Sequence, residues 1–164
     1  MTIFPSTLVS TATMLLADCR ARGLKLATAE SCTGGLIAAL ITEIAGSSDV
    51  FTHGFITYAN AAKTSMVGVP ASLIAQHGAV SEPVARAMAE GALDASGASI
   101  AVAVTGVAGP GGGSAEKPVG LVHIAVARVD GKTMHQRHVF SGDRASVRLQ
   151  TVEAALLLLL GLFS

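Results

Sequence analysis

Apolar residues follow two different periods along this chain, and the two periods alternate. A short, mostly apolar run occupies residues 24–29 and an unbroken apolar run occupies residues 100–104, as is typical of parallel strands that are buried on both faces. Residues 50–58 alternate and are rich in aromatic and β-branched side chains, which predicts another strand. Between these runs, apolar residues recur three and four positions apart, which is the period of an amphipathic helix.

The complete pattern predicts an α/β fold. Residues 119–128 and 132–140 are two more strands, and Asp130-Gly131 between them favours a β-hairpin. Helices are predicted at residues 6–22, 33–45, 60–67, 70–77 and 81–96, and from 143 toward 162. We expect a three-layer α/β/α sandwich with a mixed, mostly parallel sheet of about five strands that ends in a hairpin. No repeat or linker interrupts the pattern, so residues 1–164 are expected to form a single domain.

Composition narrows the range of partners. Of the 164 residues, 51% are hydrophobic and only 13% are charged. Such a chain leaves apolar surface to cover, so we expect a homo-oligomer, a dimer or higher. Lys and Arg number 11 and balance 11 Asp and Glu, while aromatic residues make up 4% and Trp is absent. This balance argues against a nucleic-acid partner and against binding to an anionic membrane surface.

The cysteines and the apolar runs indicate where in the cell the protein is expected to be found. Cys19 and Cys32 form neither a disulfide framework nor a metal-ligand spacing, and free thiols suit a reducing environment. Met1 to Ser10 lacks the basic and apolar regions of a secretion signal. The longest apolar run, residues 154–163, has about half of the ~20 residues that a membrane span needs. We therefore expect a cytoplasmic protein that does not bind a membrane.

The stretch Ala27-Thr28-Ala29-Glu30-Ser31-Cys32-Thr33-Gly34-Gly35 joins the first buried strand to a helix. A sharp strand-to-helix turn leaves free backbone N–H groups at the helix start, and these groups favour negative charge. The amides near Thr33, Gly34 and Gly35 are therefore candidates for holding a phosphate, a carboxylate or a developing oxyanion. The structural alternative is that Ser31 or Thr33 only caps the helix and that the glycines only allow close packing.

Polar residues follow three of the predicted strands. Parallel strands place their carboxyl ends at one edge of a sheet, and ligands bind beyond that edge. The first strand leads to Glu30 and Ser31, the second to Tyr58, Asn60 and Lys63, and the third to Thr105, Gly106 and a glycine-rich segment, residues 106–113. That segment lacks the phosphate-loop pattern of nucleotide triphosphatases, but its amides can still cradle one phosphate.

Ser31 and Lys63 are the candidate nucleophile and base. Lys63 is one of four lysines, and its neighbours include Ala, Met and Val. A lysine that is partly desolvated in a cleft has a lowered pKa and can take a proton from a serine hydroxyl. The alternative for Lys63 is a solvated surface charge. Cys32 is a rival nucleophile, because a thiol at a helix start is acidified.

The other candidate site residues could bind substrate or relay a proton. Tyr58, the only tyrosine, can relay a proton or bind substrate, or it can simply end a strand with its hydroxyl in water. Arg144 and Arg148 lie four residues apart on the predicted last helix, so they share a face and can grip a phosphate or carboxylate. Their alternative is an ion pair with Asp143 or Glu153. The five histidines show no metal-ligand spacing, and we expect neither a catalytic metal nor a cofactor.

Six blocks of the chain resemble the CinA C-terminal domain family, in that family's order, from about residue 7 to residue 162. The blocks are Ala29-Glu30-Ser31-Cys32-Thr33-Gly34-Gly35, Tyr58-Ala59-Asn60-Ala61-Ala62-Lys63, Gly78-Ala79-Val80-Ser81, Thr105-Gly106-Val107-Ala108-Gly109-Pro110-Gly111-Gly112, Glu116-Lys117-Pro118-Val119-Gly120 and Ser141-Gly142-Asp143-Arg144. Six blocks in register are a specific signal, although each block alone is a loose pattern.

The resemblance implies an amidohydrolase, a nicotinamide mononucleotide deamidase, which releases ammonia and nicotinic acid mononucleotide. It implies that Ser31 attacks the carboxamide, that Lys63 transfers the proton to the leaving ammonia, and that Tyr58 belongs to the catalytic set. Together with the strand-end positions, the residues expected at the substrate are Glu30, Thr33, Gly34, Gly35, Ser48, Asn60, Thr105, Gly106 and Arg144. Within this set, Arg144 is assigned to the phosphate and Ser48 to an assisting role.

A second hypothesis of a different class stays open at this point. The chain could be a non-catalytic nucleotide-binding or regulatory module of the competence- and damage-inducible family. A binding module needs neither Ser31 nor Lys63, so the presence of both residues favours the enzyme.

Overall fold

The computed structural model describes the whole chain, residues 1–164. Its strands are β1 (Leu26–Glu30), β2 (Phe51–Ile56), β3 (Ile100–Gly106), β4 (Leu121–Arg128) and β5 (Met134–Val139). Its helices are α1 (Ser6–Ala21), α2 (Leu36–Thr42), α3 (Asn60–Val67), α4 (Ala71–His77), α5 (Glu82–Ser96) and α6 (Arg144–Leu160). Two short 3₁₀ turns occupy Ser47–Asp49 and Gly161–Phe163.

The five strands form one mixed sheet in the order β2-β1-β3-β4-β5. Strands β2, β1 and β3 run parallel, while β4 and β5 are antiparallel additions that close as a hairpin. The expected α/β/α sandwich with a mixed sheet of five strands is confirmed. Because β1, β2 and β3 are parallel neighbours, the residues that follow Glu30, Ile56 and Val104 meet at one edge of the sheet.

Helices cover both faces of the sheet, and each face has its own core. Large side chains such as Leu26, Val102 and Ile124 pack toward α1, α2 and α6. The opposite face is lined by alanines, including Ala29 and Ala103, and packs against α5 with α3 and α4. Because the side chains on that face are small, α5 can lie close to the sheet.

Helix α6 is the longest helix. By length and composition alone, residues 144–163 could cross a membrane, with a mean hydropathy of 1.6. In the structure, this helix is part of the core next to α1. Its buried side chains are Val147, Thr151, Val152, Ala155, Leu156, Leu158 and Leu159. Packing within the domain therefore accounts for much of the apolar run at the end of the chain, while Leu157 is exposed.

The bounds predicted for the second helix, residues 33–45, are wrong at both ends, and the first concerns the turn after β1. Helix α2 begins at Leu36 rather than at residue 33, and it ends at Thr42. Gly34 and Gly35 have φ angles of 58° and 103°, a conformation that glycine adopts without steric cost. Residues 31–35 are consequently a tight turn, which we call the elbow, and not the first turn of a helix.

Candidate active site

A cleft opens at the carboxyl ends of the parallel strands and has a volume of about 310 Å³. It combines the start of the elbow, the residue that follows β2, the glycine-rich segment and the start of α6. The lining residues are Ser31, Cys32, Tyr58, Val80, Gly106, Val107, Ala108, Gly109, Gly111, Gly112 and Arg144. The three strand ends predicted to meet thus do meet, and they do so around Ser31.

Ser31 and Lys63 are in direct contact at the floor of this cleft. Lys63 Nζ lies 3.1 Å from Ser31 Oγ, and both side chains are buried. Lys63 reaches this position from α3, which follows β2 without an intervening long loop. Its first-turn neighbours are alanines, so α3 can lie close enough to the sheet for the lysine to point inward. The alternative of a solvated surface charge is therefore excluded for Lys63.

Two backbone carbonyls fix the lysine nitrogen. The oxygens of Thr57 and Tyr58 lie 2.9 Å and 3.4 Å from Lys63 Nζ, on the segment that leaves β2. A neutral amine has two N–H donors and one lone pair. If the two carbonyls accept the two hydrogens, the lone pair is left for the Ser31 hydroxyl. Burial also lowers the pKa of the Lys63 ammonium from its ordinary value, which favours this neutral form.

Three backbone amides of the elbow are free. The Ser31 amide donates to Val104 O at 3.1 Å and the Gly34 amide donates to Ser31 O at 3.0 Å, while Arg148 donates to the carbonyls of Cys32 and Thr33. In contrast, the amides of Cys32, Thr33 and Gly35 donate to no other residue. Of the amides expected to hold an oxyanion, that of Gly34 is thus already used, whereas those of Thr33 and Gly35 are free.

The Cys32 thiol is a poor nucleophile in this structure. Its side chain is 6% exposed, and burial raises the pKa of the thiol to about 12. A thiol needs to ionise to attack, and a helix start lowers its pKa only where the group is not desolvated. The geometry therefore favours Ser31 over Cys32.

Arg144 and Tyr58 form the wall of the cleft near solvent. Arg144 Nη2 donates to Tyr58 Oη at 3.2 Å, and Nη1 donates to the carbonyl of Gly109 at 2.8 Å. The Tyr58 side chain is 60% exposed, so its ring and hydroxyl are available to a ligand. No carboxylate lies within ion-pair distance of Arg144, which leaves its charge available to an anion.

Three side chains predicted to contact substrate, those of Glu30, Thr33 and Thr105, are bound to other protein groups in the structure. The buried Glu30 carboxylate accepts from the Thr33 hydroxyl at 2.6 Å and from the amides of Ile37 and Ala38 at the start of α2. It therefore caps α2 on the face of the sheet opposite to Ser31, and Thr33 points the same way. The Thr105 hydroxyl is also buried, and it donates to the carbonyl of Ala79 at 2.9 Å.

Two other predicted residues do not reach the cleft in this chain. Asn60 is exposed at the start of α3 and faces a separate shallow depression. Ser48 lies in the 3₁₀ turn before β2, and thus at the amino end of the parallel strands. The six residues of β2 span roughly 20 Å, so Ser48 is at the opposite end of the sheet from Ser31. Gly106, as predicted, lines the cleft.

The sequence reasoning missed a pair of histidines on the hairpin. His123 Nδ1 and His135 Nε2 lie 2.9 Å apart, and Glu82 at the start of α5 lies 3.6 Å from His135. Burial lowers the pKa of His123 to about 4. The hairpin register, which pairs His123 with Arg137 and His135 with Ala125, was the signal that could have revealed this diagonal pair. No three His, Cys, Asp or Glu side chains come together as metal ligands.

The fold and the cleft define a class: α/β/α proteins with a buried serine–lysine contact at a strand-to-helix elbow. The family model of the CinA C-terminal domain matches residues 9–163. The chain therefore belongs to the CinA C-terminal domain family.

Known proteins resemble this chain both in sequence and in structure. The chain is 56% identical to the nicotinamide-nucleotide amidohydrolase PncC of Escherichia coli K12, over 84% of this chain and 83% of that protein. It is also 56% identical to a CinA-like protein of Akkermansia muciniphila, over 81% of this chain but only 32% of that longer protein. The crystal structure of the competence/damage inducible protein CihA from Agrobacterium tumefaciens superposes with a TM-score of 0.98 at 50% identity, over 100% of both chains.

Proposed function

We propose that this chain hydrolyses the carboxamide of nicotinamide mononucleotide to nicotinic acid mononucleotide and ammonia. The observation that carries the proposal is the 3.1 Å contact between the buried Lys63 Nζ and Ser31 Oγ at the floor of the cleft. A nucleotide-binding module would gain nothing from a buried amine held against a serine. The relatives named nicotinamide-nucleotide amidohydrolase, at 56% identity, support the same substrate.

The reaction uses Ser31, which lines the cleft, and groups in contact with it or next to it in the elbow. Ser31 Oγ attacks the carboxamide carbon while Lys63 takes the hydroxyl proton. The negative charge that develops on the carbonyl oxygen is received by the free amides of Cys32 and Thr33. Collapse breaks the C–N bond as Lys63 gives its proton to the leaving NH2 group, so ammonia departs and an ester of Ser31 remains. Water then attacks the ester while Lys63 takes one of its protons. When the C–O bond to Ser31 breaks, Lys63 returns this proton to Ser31 Oγ and the acid leaves.

The phosphate is assigned to Arg144. Its guanidinium lies at the cleft, has no carboxylate partner, and is aimed by Tyr58 and by the carbonyl of Gly109. A charged donor held in place loses little entropy when it binds an oxyanion. Tyr58 contributes its exposed ring and hydroxyl to the same subsite, and the glycine-rich segment lets substrate approach the backbone closely.

The experiment that tests this function is ammonia release from nicotinamide mononucleotide. Nicotinamide and the dinucleotide serve as controls, and a chelator is present throughout. We expect chelator-resistant turnover of the mononucleotide alone, which requires both the amide chemistry and the phosphate. No ammonia from any of the three, in a folded protein that binds the mononucleotide, would favour the regulatory binding module.

We also propose that a second copy of this chain pairs along β2. This edge strand is largely exposed, and no charged residue occurs from Val50 to Ala62. Natural sheet edges are usually protected by charge, whereas β2 ends beside the exposed side chains of Ile56 and Tyr58. The other edge strand, β5, carries the charged residue Arg137. An unprotected edge can pair with its own symmetry copy.

Such pairing would bring Ser48 to the active site of the other copy. Antiparallel pairing about a two-fold axis near His53 and Gly54 puts the start of one β2 beside the end of the other. Ser48 lies three positions before the first residue of β2, and Tyr58 lies two positions after its last. Each copy would therefore place Ser48 near the Tyr58 of its neighbour, which reconciles the expected role of Ser48 with its position.

Mixed dimers test this arrangement. Ser31→Ala and Ser48→Ala proteins are each expected to have little activity, and refolding them together should restore about a quarter of wild-type turnover. Half of the dimers would be mixed, and one of two sites in each mixed dimer would be complete. A monomer by light scattering, or no recovery on mixing, would refute the arrangement.

We further propose a cytoplasmic location, because both Cys19 and Cys32 are free thiols.

A further inference from the structure

Arg148 ties helix α6 to the elbow through two consecutive carbonyls. Its Nε donates to Cys32 O at 3.1 Å, and its Nη2 donates to Thr33 O at 3.0 Å. The side chain is half-buried, and no carboxylate pairs with it. The planar guanidinium presents its donors in a fixed fork, which suits two acceptors at a set spacing. Two nitrogens of the Arg148 guanidinium, Nε and Nη2, thus bind the backbone beside Ser31.

The direction of those carbonyls sets the direction of an amide. In a planar trans peptide, the N–H of one residue points opposite to the C=O of the residue before it. Because Cys32 O points to Arg148, the Thr33 N–H points away from Arg148. The next N–H, on Gly34, is fixed by its bond to Ser31 O at 3.0 Å. The elbow is therefore held with carbonyls on one side and the Thr33 amide on the other.

Glu30 holds the same elbow through different groups. Its carboxylate binds the Thr33 hydroxyl and the first amides of α2, so it fixes the side chain of Thr33 and the entry into the helix. Arg148 alone binds the Cys32 carbonyl. A change at Arg148 should consequently affect the peptide between Cys32 and Thr33 while Glu30 still anchors α2.

We propose that Arg148 is a positioning residue that orients the Thr33 amide as an oxyanion donor for the reaction at Ser31. This inference rests on the proposed function for its substrate. It assigns Arg148 a role different from that of Arg144, four residues earlier on α6, whose guanidinium faces the cleft. The guanidinium also polarises the peptide that it binds, which strengthens the N–H on the other side.

The substitutions Arg148→Met and Arg148→Lys test the role by separating kcat from KM. Loss of one oxyanion donor lowers kcat by about 100-fold, and we expect that loss for Arg148→Met. Arg148→Lys keeps the charge but loses the fork, so we expect an intermediate loss of about 10-fold. KM and the affinity for nicotinamide mononucleotide should stay within about threefold, since Arg148 touches no substrate.

Chemical rescue distinguishes positioning from a general loss of structure. Millimolar guanidinium should restore part of kcat in Arg148→Ala, where the side chain leaves space for the ion. Arg148→Met is the matched control, because its side chain occupies that space and should block rescue. If Arg148→Met does not fold, Arg148→Lys carries the kinetic comparison. A rise in KM at constant kcat would overturn the proposal, because it would make Arg148 a substrate contact.

Labelling of Ser31 gives a readout that does not depend on the substrate. An organophosphorus fluoridate forms a bond from Ser31 Oγ to phosphorus, fluoride leaves, and the hydroxyl proton goes to Lys63. The P–O oxygen takes the place of the oxyanion, so labelling should slow by the same factor as kcat in each Arg148 variant. If wild type labels at Ser31 but releases no ammonia, the proposed substrate fails and Arg148 is still tested. Unchanged labelling in Arg148→Met would overturn the inference.

Discussion

Lys63 Nζ lies 3.1 Å from Ser31 Oγ, although 32 residues separate the two in the sequence. The parallel pairing of β1 with β2 makes this contact, because it sets the Ser31 elbow beside the segment that leads into α3. The carbonyls of Thr57 and Tyr58 then fix the amine in a dry position. A buried amine with a lowered pKa, held against a hydroxyl, is the arrangement that a serine nucleophile needs.

The pH dependence of turnover should report Lys63. Burial lowers the pKa of its ammonium, and only the neutral amine can take the Ser31 proton. We therefore expect kcat/KM to rise with pH until the lowered pKa of Lys63 is passed, and then to level off. Titration of ammonia release across the alkaline range checks this. A rate that falls as pH rises through the same range would indicate that the charged ammonium is the required form.

Substitution of Arg144 should weaken binding of the phosphate. A hydrogen bond to a charged group is worth about 1.5–3 kcal/mol, so Arg144→Met should raise KM for nicotinamide mononucleotide roughly 10- to 100-fold. The matched control is the same variant with nicotinamide riboside, which lacks the phosphate. Because turnover requires the phosphate, wild type should process the riboside only slowly, and the variant should process it at the same low rate. An equal penalty on both substrates would mean that Arg144 does not bind the phosphate.

Gly91 on α5 maintains the position of α3 and therefore of Lys63. A Cβ at Gly91 would lie 1.7 Å from the carbonyl oxygen of Val67 at the end of α3. Gly91→Ala should destabilise the fold by about 2 kcal/mol and lower kcat, because α3 must move. Gly161→Ala is the matched control, since nothing lies within 4 Å of its Cβ. Urea unfolding and ammonia release measure both effects. Equal stability of the two variants would contradict this account of the α3–α5 contact.

His123 should make the fold less stable in mild acid. Burial first, and then the charge of His135, lower its pKa from the ordinary 6.5 to about 4. Between these values the unfolded chain binds the proton and the folded chain does not, so stability falls as pH drops from 6.5 to 4. The loss from His123 should be about 3 kcal/mol. In urea unfolding, His123→Gln should lose less stability across this window than wild type; an identical loss would refute the assignment.

The sequence was sufficient for the architecture and for the proximity of Ser31, Lys63 and Gly106. Period and turn signals predict the sandwich, and the rule that ligands bind beyond parallel strand ends predicts that these three residues lie near one another. The same rule also places Glu30 at the cleft, whereas its carboxylate caps α2. Successive residues on a strand face opposite sides, so Glu30 and Ser31 could not both face the cleft.

The remaining roles depend on contacts between distant segments. Arg148 contacts the elbow although 116 positions separate it from Cys32 in the sequence. The Thr105 hydroxyl donates to the carbonyl of Ala79 only because the segment that contains Ala79 packs over β3. No period or motif encodes such pairings. The start of α2 was misjudged for a local reason, since Gly34 and Gly35 turn the chain where a helix was expected to begin.

Ammonia release by Ser31→Ala and Lys63→Met, measured beside nicotinamide mononucleotide binding, tests the central claim most directly. The dyad predicts that each variant loses at least about 1,000-fold in kcat while binding persists, and that Cys32→Ala keeps nearly full turnover. Turnover that survives either dyad substitution, or that disappears in Cys32→Ala, would contradict the assignment of Ser31 as nucleophile and Lys63 as base.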